Sequence, residues 1–214
     1  MKSVEDYQKD MHQSFRWRYD NDQDAWSADP GLLASAQKVN ELAQAKNWHV
    51  LDIGIGAGNP AVALLQAGHG VVGVDLFSHK RWPLLLDHWQ DKLTLTEQDF
   101  NDWQYVGEKF DAALDNGCMH HQHPDLYPHY LQKVNGLLKP DGYFVLNTYL
   151  ELNDELEQGH IEYTDNNRIC KYFTVPEITQ LFADHGFQVL EYEKIFRPNM
   201  DEYYLLITAR VLKE

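Results

Sequence analysis

The chain has 214 residues, 33 acidic against 18 basic, for a formal net charge of −15, with 11 His, 6 Trp and 2 Cys. At 43% hydrophobic and 24% charged residues it is long and apolar enough to bury a core unaided, no apolar run approaches the ~18–20 residues of a membrane span, and Met1–Asp6 lacks the apolar core of a signal peptide. Cys118 and Cys170 are too few for a disulfide framework or a four-cysteine zinc site, and the negative charge disfavours nucleic acid, so the expectation is one cytoplasmic domain with neither membrane nor nucleic-acid partner.

Residues 1–47 are expected to form a helical cap. From Pro30 onward, Leu32, Leu33, Ala36, Val39, Leu42 and Ala43 recur at helical spacing, which predicts an amphipathic helix ending near Asn47. Trp48–Ile53 is a buried strand, followed by the turn Gly54-Ile55-Gly56-Ala57-Gly58. Asn59 is placed to cap the next helix and Pro60 suits its first position, because proline's fixed φ is helical and its missing N–H is not needed there. That helix stops at Gly68. Val71–Asp75, Leu93–Thr96, Phe110–Asp115 and Tyr143–Thr148 are further strands, the last introduced by the turn Lys139-Pro140-Asp141-Gly142. Helices are expected around Pro83–Trp89 and from Pro124 to Leu138. Alternating strand and helix predicts an α/β fold, a Rossmann-like, doubly wound and mostly parallel sheet covered on both faces. In the tail, Thr174-Val175-Pro176-Glu177 is a capping box whose helix ends at His185-Gly186. Phe187–Phe196 and Tyr203–Leu212 follow, joined by a link so short that only antiparallel pairing is possible.

Strand, glycine turn, helix start and a second strand ending in an acid describe a nucleoside-binding crevice. Glycines let the backbone approach the ligand, and the helix N-terminus offers free N–H donors. A dinucleotide fingerprint needs G-x-G-x-x-G, yet Asn59 stands at the third glycine position and Gly58 comes one place early. Asp75 lies about 20 residues past the turn, where a carboxylate can accept from both ribose hydroxyls. Asp99 occupies the corresponding place after the third strand, beside Phe100. With Asp52, these three strand-end acids suit a ligand with a ribose, an amino group and a positive centre.

Together these residues resemble the class I S-adenosylmethionine-dependent methyltransferases over residues 48–212. Val50-Leu51-Asp52-Ile53-Gly54-Ile55-Gly56-Ala57-Gly58 is similar to that family's first motif, Gly73-Val74-Asp75-Leu76 to its ribose-binding acid, and Gln98-Asp99-Phe100 to its adenine-flanking acid. Phe110–His121 is similar to the fourth-strand motif, and Leu137-Leu138-Lys139-Pro140-Asp141-Gly142-Tyr143 to the turn into strand five. The resemblance implies a seven-stranded sheet with its last strand antiparallel. It also implies S-adenosylmethionine as cofactor, S-adenosylhomocysteine as product, and a cofactor site of Asp52, Gly54, Ile55, Gly56, Gly58, Asn59, Asp75, Leu76, Asp99, Phe100, Asn116 and Gly117. The entry Phe15-Arg16-Trp17-Arg18-Tyr19, with Trp26 and Pro30, resembles the small-molecule subgroup containing thiopurine and tellurite methyltransferases, where this segment folds over the cofactor. That adds Trp26 to the site. The family divides the chain into the cap, a cofactor-binding core at 48–149, an acceptor-side insertion at 150–173 and a C-terminal helix and hairpin at 174–214.

Methyl transfer from a sulfonium is an in-line displacement, so the protein chiefly aligns the partners and excludes water. A base is needed only when the nucleophile keeps a proton at working pH. His120 or His121 stands where the acceptor enters and can be that base; equally, these histidines can pack or cap the following helix. No Asp, Glu or Cys set completes a metal pattern with His120, His121, His123 and His129, and no metal is expected. Glu151, Asp154, Glu155, Glu157, Glu162 and Asp165 form either a lid for a cationic acceptor or a solvated loop, with 161–164 and 168–173 pairing as a hairpin. Trp17, Trp26, Tyr149 and Tyr172 can wall an acceptor pocket or simply close the core. The expected function is direct methyl transfer to a small-molecule acceptor. The alternatives are a protein of this fold that holds S-adenosylmethionine without transferring its methyl (a cyclase, sensor or partner subunit) and an NAD(P)-dependent oxidoreductase.

Overall fold

The computed structural model describes residues 2–164 and 166–212. Nine strands alternate with six α-helices: α1 Val4–Asp20, α2 Ala34–Ala43, β1 His49–Ile53, α3 Asn59–Gln66, β2 Gly70–Asp75, α4 Trp82–Trp89, β3 Leu93–Glu97, β4 Phe110–Asn116, α5 Tyr127–Leu137, β5 Leu138–Tyr149, β6 Ile161–Tyr163, β7 Ile169–Lys171, α6 Val175–Ala183, β8 Phe187–Arg197 and β9 Glu202–Val211. Seven of the strands form one sheet in the order β3-β2-β1-β4-β5-β9-β8, and β6 pairs with β7. β1 to β5 run parallel, whereas β9 is antiparallel to both β5 and β8. The order reverses between β1 and β4, and the crevice at such a switch point is where ligands bind open α/β sheets.

Both faces of the sheet are buried, which explains the unbroken apolar runs of its central strands. On one face Val50, Ala112, Leu114 and Val145 pack against Ala36 and Val39 of α2, Ala61, Leu64 and Leu65 of α3 and Trp82 and Leu85 of α4. On the other, Leu51, Ala113, Phe144, Leu146 and Ile207 meet Tyr130, Leu131 and Val134 of α5 and Ile178 and Phe182 of α6. Phe144 and Phe182 stack with centroids 5.5 Å apart at 8°. No helix among the described residues is long and apolar enough to cross a membrane.

Helix α1 lies over the carboxyl ends of the strands. Ser3 caps it, accepting from the Asp6 N–H at 3.2 Å, with Glu5 and Asp6 in the first turn where the helix dipole favours acids. Tyr7 pins it in place: its hydroxyl donates to the His121 carbonyl at 2.5 Å and accepts from the Ile169 N–H at 3.0 Å.

Several local expectations need correction. The helix after the glycine turn is capped by Gly58, without a side-chain bond; the amide of Asn59 instead donates to the Ser27 carbonyl and accepts from Arg81. A tertiary partner outcompetes the local cap. The segment from Pro30 splits into a 3-10 turn, Pro30–Leu33, and α2, which ends where Gln44 takes a left-handed φ of 49°. Lys139–Gly142 lies within β5 as an irregularity opposite Phe110 and Ala112, with Asp141 at φ 61°, instead of preceding the strand. Only half of the capping box forms: Thr174 accepts from the Glu177 N–H, but the Glu177 carboxylate turns to Lys171 and to the Gly159 N–H. The small hairpin does form, as β6 and β7, although Asp165 at its tip lies outside the described residues.

Candidate active site

A cleft of about 1200 Å³, mouth included, opens at the switch point between α1, the glycine turn, the β4–α5 connection and the segment 150–173. Gly54, Gly56 and Gly58 adopt φ of 71°, 52° and 78°, a region costly for any residue with a Cβ. A Cβ on Gly54 would stand 3.1 Å from that of Cys118, and one on Gly58 only 2.8 Å from the Leu85 Cδ1. The turn is thus a bare backbone wall.

Acids line one end. Asp75 Oδ2 accepts from the Gly56 N–H at 2.8 Å, tying the end of β2 to the glycine turn, with the Tyr19 hydroxyl 3.5 Å away. Burial pushes its carboxyl up to about 6, against the lowering effect of the Gly56, Phe77 and Leu76 N–H groups. Asp99 is buried too, which alone would raise it, but bonds from His12 and Asn101 take its carboxyl below the ordinary range. Asp52 is fully buried; burial and the nearby Asp75 and Asp115 charges hold its carboxyl well above the ordinary value. Its Oδ2 has no hydrogen-bond partner, and neither does the Nδ2 of Asn116. An orphaned acceptor and an orphaned donor therefore flank the glycine turn, as a ligand carrying both an ammonium and a carboxylate requires.

The residues after β4 are posed by Asp115, which the sequence reading quoted in a motif but gave no role. Its carboxylate accepts from the Cys118 N–H at 2.6 Å, the Met119 N–H at 2.9 Å and the Tyr130 hydroxyl at 2.7 Å. This clamp shapes the 3-10 turn Met119–His121 and aims His120 and His121 into the cleft. The partners assign both tautomers. The Tyr149 N–H donates to His120 Nδ1 at 3.2 Å, so the proton sits on Nε2; His121 Nδ1 donates to the Ile169 carbonyl at 2.6 Å, so its Nε2 is the acceptor. The two Nε2 atoms lie 3.2 Å apart. Burial first, then the charge of Arg168, holds both imidazoles well below their ordinary pKa. Both rings are neutral and both lone pairs are occupied. Helix capping falls to His123, whose ring accepts from the Asp125 N–H.

The remaining end of the cleft is aromatic and cationic. Tyr149 stacks on His120 with centroids 4.0 Å apart, Tyr204 leans on Tyr149 at 4.8 Å, and Phe15 stands edge-on to His121 at 5.5 Å and to Trp26 at 6.2 Å. Trp26 and Tyr149 therefore line the cleft as expected of wall residues, Tyr172 backs Tyr149 by stacking, and Trp17 is 55% exposed and lies outside it. All thirteen residues expected to hold the cofactor, with His120 and His121, border this one cleft except that Asn59 turns its amide aside. Arg18, Arg168, Arg197, Tyr19, Met200 and Tyr204 are also part of the lining. Sequence reasoning gave none of these six a role in the site, because they come from α1, β8, β9 and loops far apart in the chain; the signals were the entry segment that holds Arg18 and Tyr19, and Arg168 as the first base after a long acidic run. In the acidic segment Asp154, Glu155, Glu157 and Glu162 are exposed, and Glu151 is held by His160.

The family model described as "Methyltransferase domain" matches residues 26–192. The structure superposes with a TM-score of 0.92 on the 1,6-didemethyltoxoflavin-N1-methyltransferase of Burkholderia thailandensis, solved with 1,6-didemethyltoxoflavin and S-adenosylhomocysteine, at 28% identity over 100% of this chain and 92% of that one. The glycopeptide N-methyltransferase MtfA, solved with S-adenosylmethionine, shares the fold at a TM-score of 0.66 and 14% identity, over 86% of this chain and 94% of that one. A protein of Anoxybacillus flavithermus described as an uncharacterized methyltransferase is 23% identical over 71% of this chain and 74% of its own length.

Proposed function

This chain belongs to the class I S-adenosylmethionine-dependent methyltransferases, and from that premise we propose that it transfers the methyl group in line to a small, flat heteroaromatic acceptor. The family membership sets aside the oxidoreductase alternative. The observation that carries the acceptor class is the chamber beyond the glycine turn, walled by Phe15, Trp26, His120, Tyr149 and Tyr204. Aromatic walls of this kind fit a planar ring, and the Burkholderia relative acts on one.

S-Adenosylmethionine supplies an electrophilic methyl group on a sulfonium that departs as a neutral thioether. In this proposal the chain's own residues do the rest. The backbone of Gly54, Ile55, Gly56 and Gly58 comes close to the cofactor, as does Gly117 on the facing side. Asp75 accepts from the ribose hydroxyls, helped by Leu76 beside it, while Asp99 and Phe100 flank the base. Asp52 and Asn116 take the ammonium and carboxylate ends, the two groups their unpartnered atoms call for. Asn59 braces the turn through Ser27 and Arg81, and Trp26 closes the cleft from the cap. We assign His120 and His121 to positioning: their joined rings, set by Asp115, Ile169 and Tyr149, form a rigid wall for the acceptor. To act as a base, His121 would first have to give up its bond from His120.

The test is S-adenosylhomocysteine formation from S-adenosylmethionine with 1,6-didemethyltoxoflavin and a panel of planar N-heterocycles. Turnover restricted to flat, compact acceptors is the expected result. Tight S-adenosylmethionine binding with no product from any of them would return the reading to a non-transferring protein of this fold.

A further inference from the structure

The acceptor chamber carries positive charge in a chain of net charge −15. Arg168, at the start of β7, is only 6% exposed, borders the cleft, and has its backbone fixed by Thr164 on the opposite strand. Its guanidinium lies 4.8 Å from the ring centroid of Phe15, and its buried Nε has no hydrogen-bond partner. Arg18 reaches the same cleft from α1, over the Trp26 ring at 5.6 Å, and its Nε is unpartnered as well. Among the described residues no carboxylate lies within 4 Å of either guanidinium. Arg197, the third arginine, also has an Nε without a hydrogen-bond partner but differs in its counter-ion: that Nε stands 3.4 Å from the buried Asp29, and its Nη2 donates to the Trp26 carbonyl. A buried guanidinium without a counter-ion is expensive, and its planar fork of donors suits a planar acceptor of hydrogen bonds.

We infer that the acceptor is a planar heterocycle with an acidic N–H, bound as its monoanion against Arg168, with Arg18 adding to the field. This rests on the proposed function and names the charge state of its substrate. Burial and the charge of Arg168 lower the pKa of Arg18, as expected of two neighbouring cations awaiting an anion. The guanidinium charge, and the sulfonium charge once the cofactor is bound, would both favour the anion. The proton leaves to solvent as the acceptor binds. The ring nitrogen's electron pair then forms the bond to the methyl carbon while the carbon–sulfur bond breaks, its electron pair staying on sulfur. The products are a neutral N-methyl heterocycle and a thioether, and no proton moves in that step. This accounts for a site whose two histidines have no lone pair to spare.

The experiment compares barbiturate, a planar monoanion, with uracil, a neutral ring of similar shape, by calorimetric titration into the S-adenosylhomocysteine-loaded full chain. Barbiturate should bind the wild type about tenfold tighter or more, the range of a charge-assisted pair. Arg168→Met should lose that preference, and Arg168→Lys should restore part of it, with S-adenosylhomocysteine affinity within about twofold throughout. Equal binding of the two probes by the wild type, or no barbiturate binding at millimolar concentration, overturns the inference without any variant. An unchanged preference in Arg168→Met does so too. Failure of S-adenosylhomocysteine to bind the wild type strikes the proposed function instead, so the two failures are distinguishable.

Discussion

His120 and His121 meet edge to face, ring centroids 4.2 Å apart at 90°, joined through their Nε2 atoms at 3.2 Å. Adjacent residues on a 3-10 turn do not ordinarily share a hydrogen bond; here the Tyr149 N–H at one end and the Ile169 carbonyl at the other force complementary tautomers. The pair spans from Tyr149 of β5 to Ile169 of β7, linking the main sheet to the small hairpin.

Because burial holds both imidazoles neutral, ring nitrogen NMR should show His120 as the Nε2–H tautomer and His121 as the Nδ1–H tautomer, without titration between about pH 8 and 6. The folded pKa values lie below the unfolded value, so the unfolded chain takes protons first. Stability is therefore fully present above about pH 6.5 and falls as pH drops below it, by about 1.4 kcal/mol per pH unit for each ring. Asp75 and Asp115, raised to about 6, and Asp52, held well above the ordinary value, act in the opposite sense: their contributions grow as pH falls through each folded pKa toward the ordinary carboxylate range. A ring that titrates near 6.5 refutes the assignment.

Asp75→Ala should weaken S-adenosylhomocysteine binding by about 1–3 kcal/mol, the cost of leaving ribose hydroxyls without their acceptor. The ionised carboxylate is the better acceptor, so wild-type affinity should also fall as the pH is lowered through about 6. Calorimetry across pH reads both, and an unaltered affinity in the variant removes Asp75 from the site.

Tyr130→Phe deletes one of the three donors to the buried Asp115 while leaving the ring packed against Phe100 at 4.9 Å. A stability loss of about 1–3 kcal/mol in urea is expected, because a buried carboxylate oxygen loses its hydroxyl partner. Turnover should fall further than cofactor affinity, since the clamp poses the His120–His121 turn. A change below about 0.5 kcal/mol would mean that water or a neighbour replaces the hydroxyl.

The exposed acids of the insertion predict the opposite pattern. Asp154→Asn, Glu155→Gln and Glu157→Gln combined should leave acceptor affinity within about twofold, because solvated charges several residues from the cleft are screened. A marked change in the preference between anionic and neutral acceptors would restore a steering role to this loop.

Much of the fold was legible because it rests on local periodicity. The apolar runs of β1, β2 and β4, the glycine turn and the short link between β8 and β9 each state their own geometry, and the structure places them in one sheet with the directions those patterns imply. The bulge inside β5 was not legible, since a positive φ at Asp141 depends on how the strand regains register with β4. Nor was the desertion of the Asn59 cap, which depends on Ser27 and Arg81 arriving from elsewhere.

The site divides along the same line. By itself the sequence determined that the residues proposed for the cofactor come together: Asp52, the glycines, Asp75 and Asp99 sit at the ends of consecutive strands, and a parallel sheet necessarily gathers strand ends at one edge. On the side proposed for the acceptor, the sequence offered Trp26 and Tyr149 as walls and the Phe15–Tyr19 entry as a cover, but only tertiary structure decided how these meet the arginines. Arg18, Phe15 and Trp26 come from the cap, Arg168 from the small hairpin, and Arg197 and Tyr204 from the C-terminal strands, and no spacing rule links them. A strongly acidic chain thus holds a cationic chamber, because net charge sums over the surface whereas binding responds to the few charges that folding buries together.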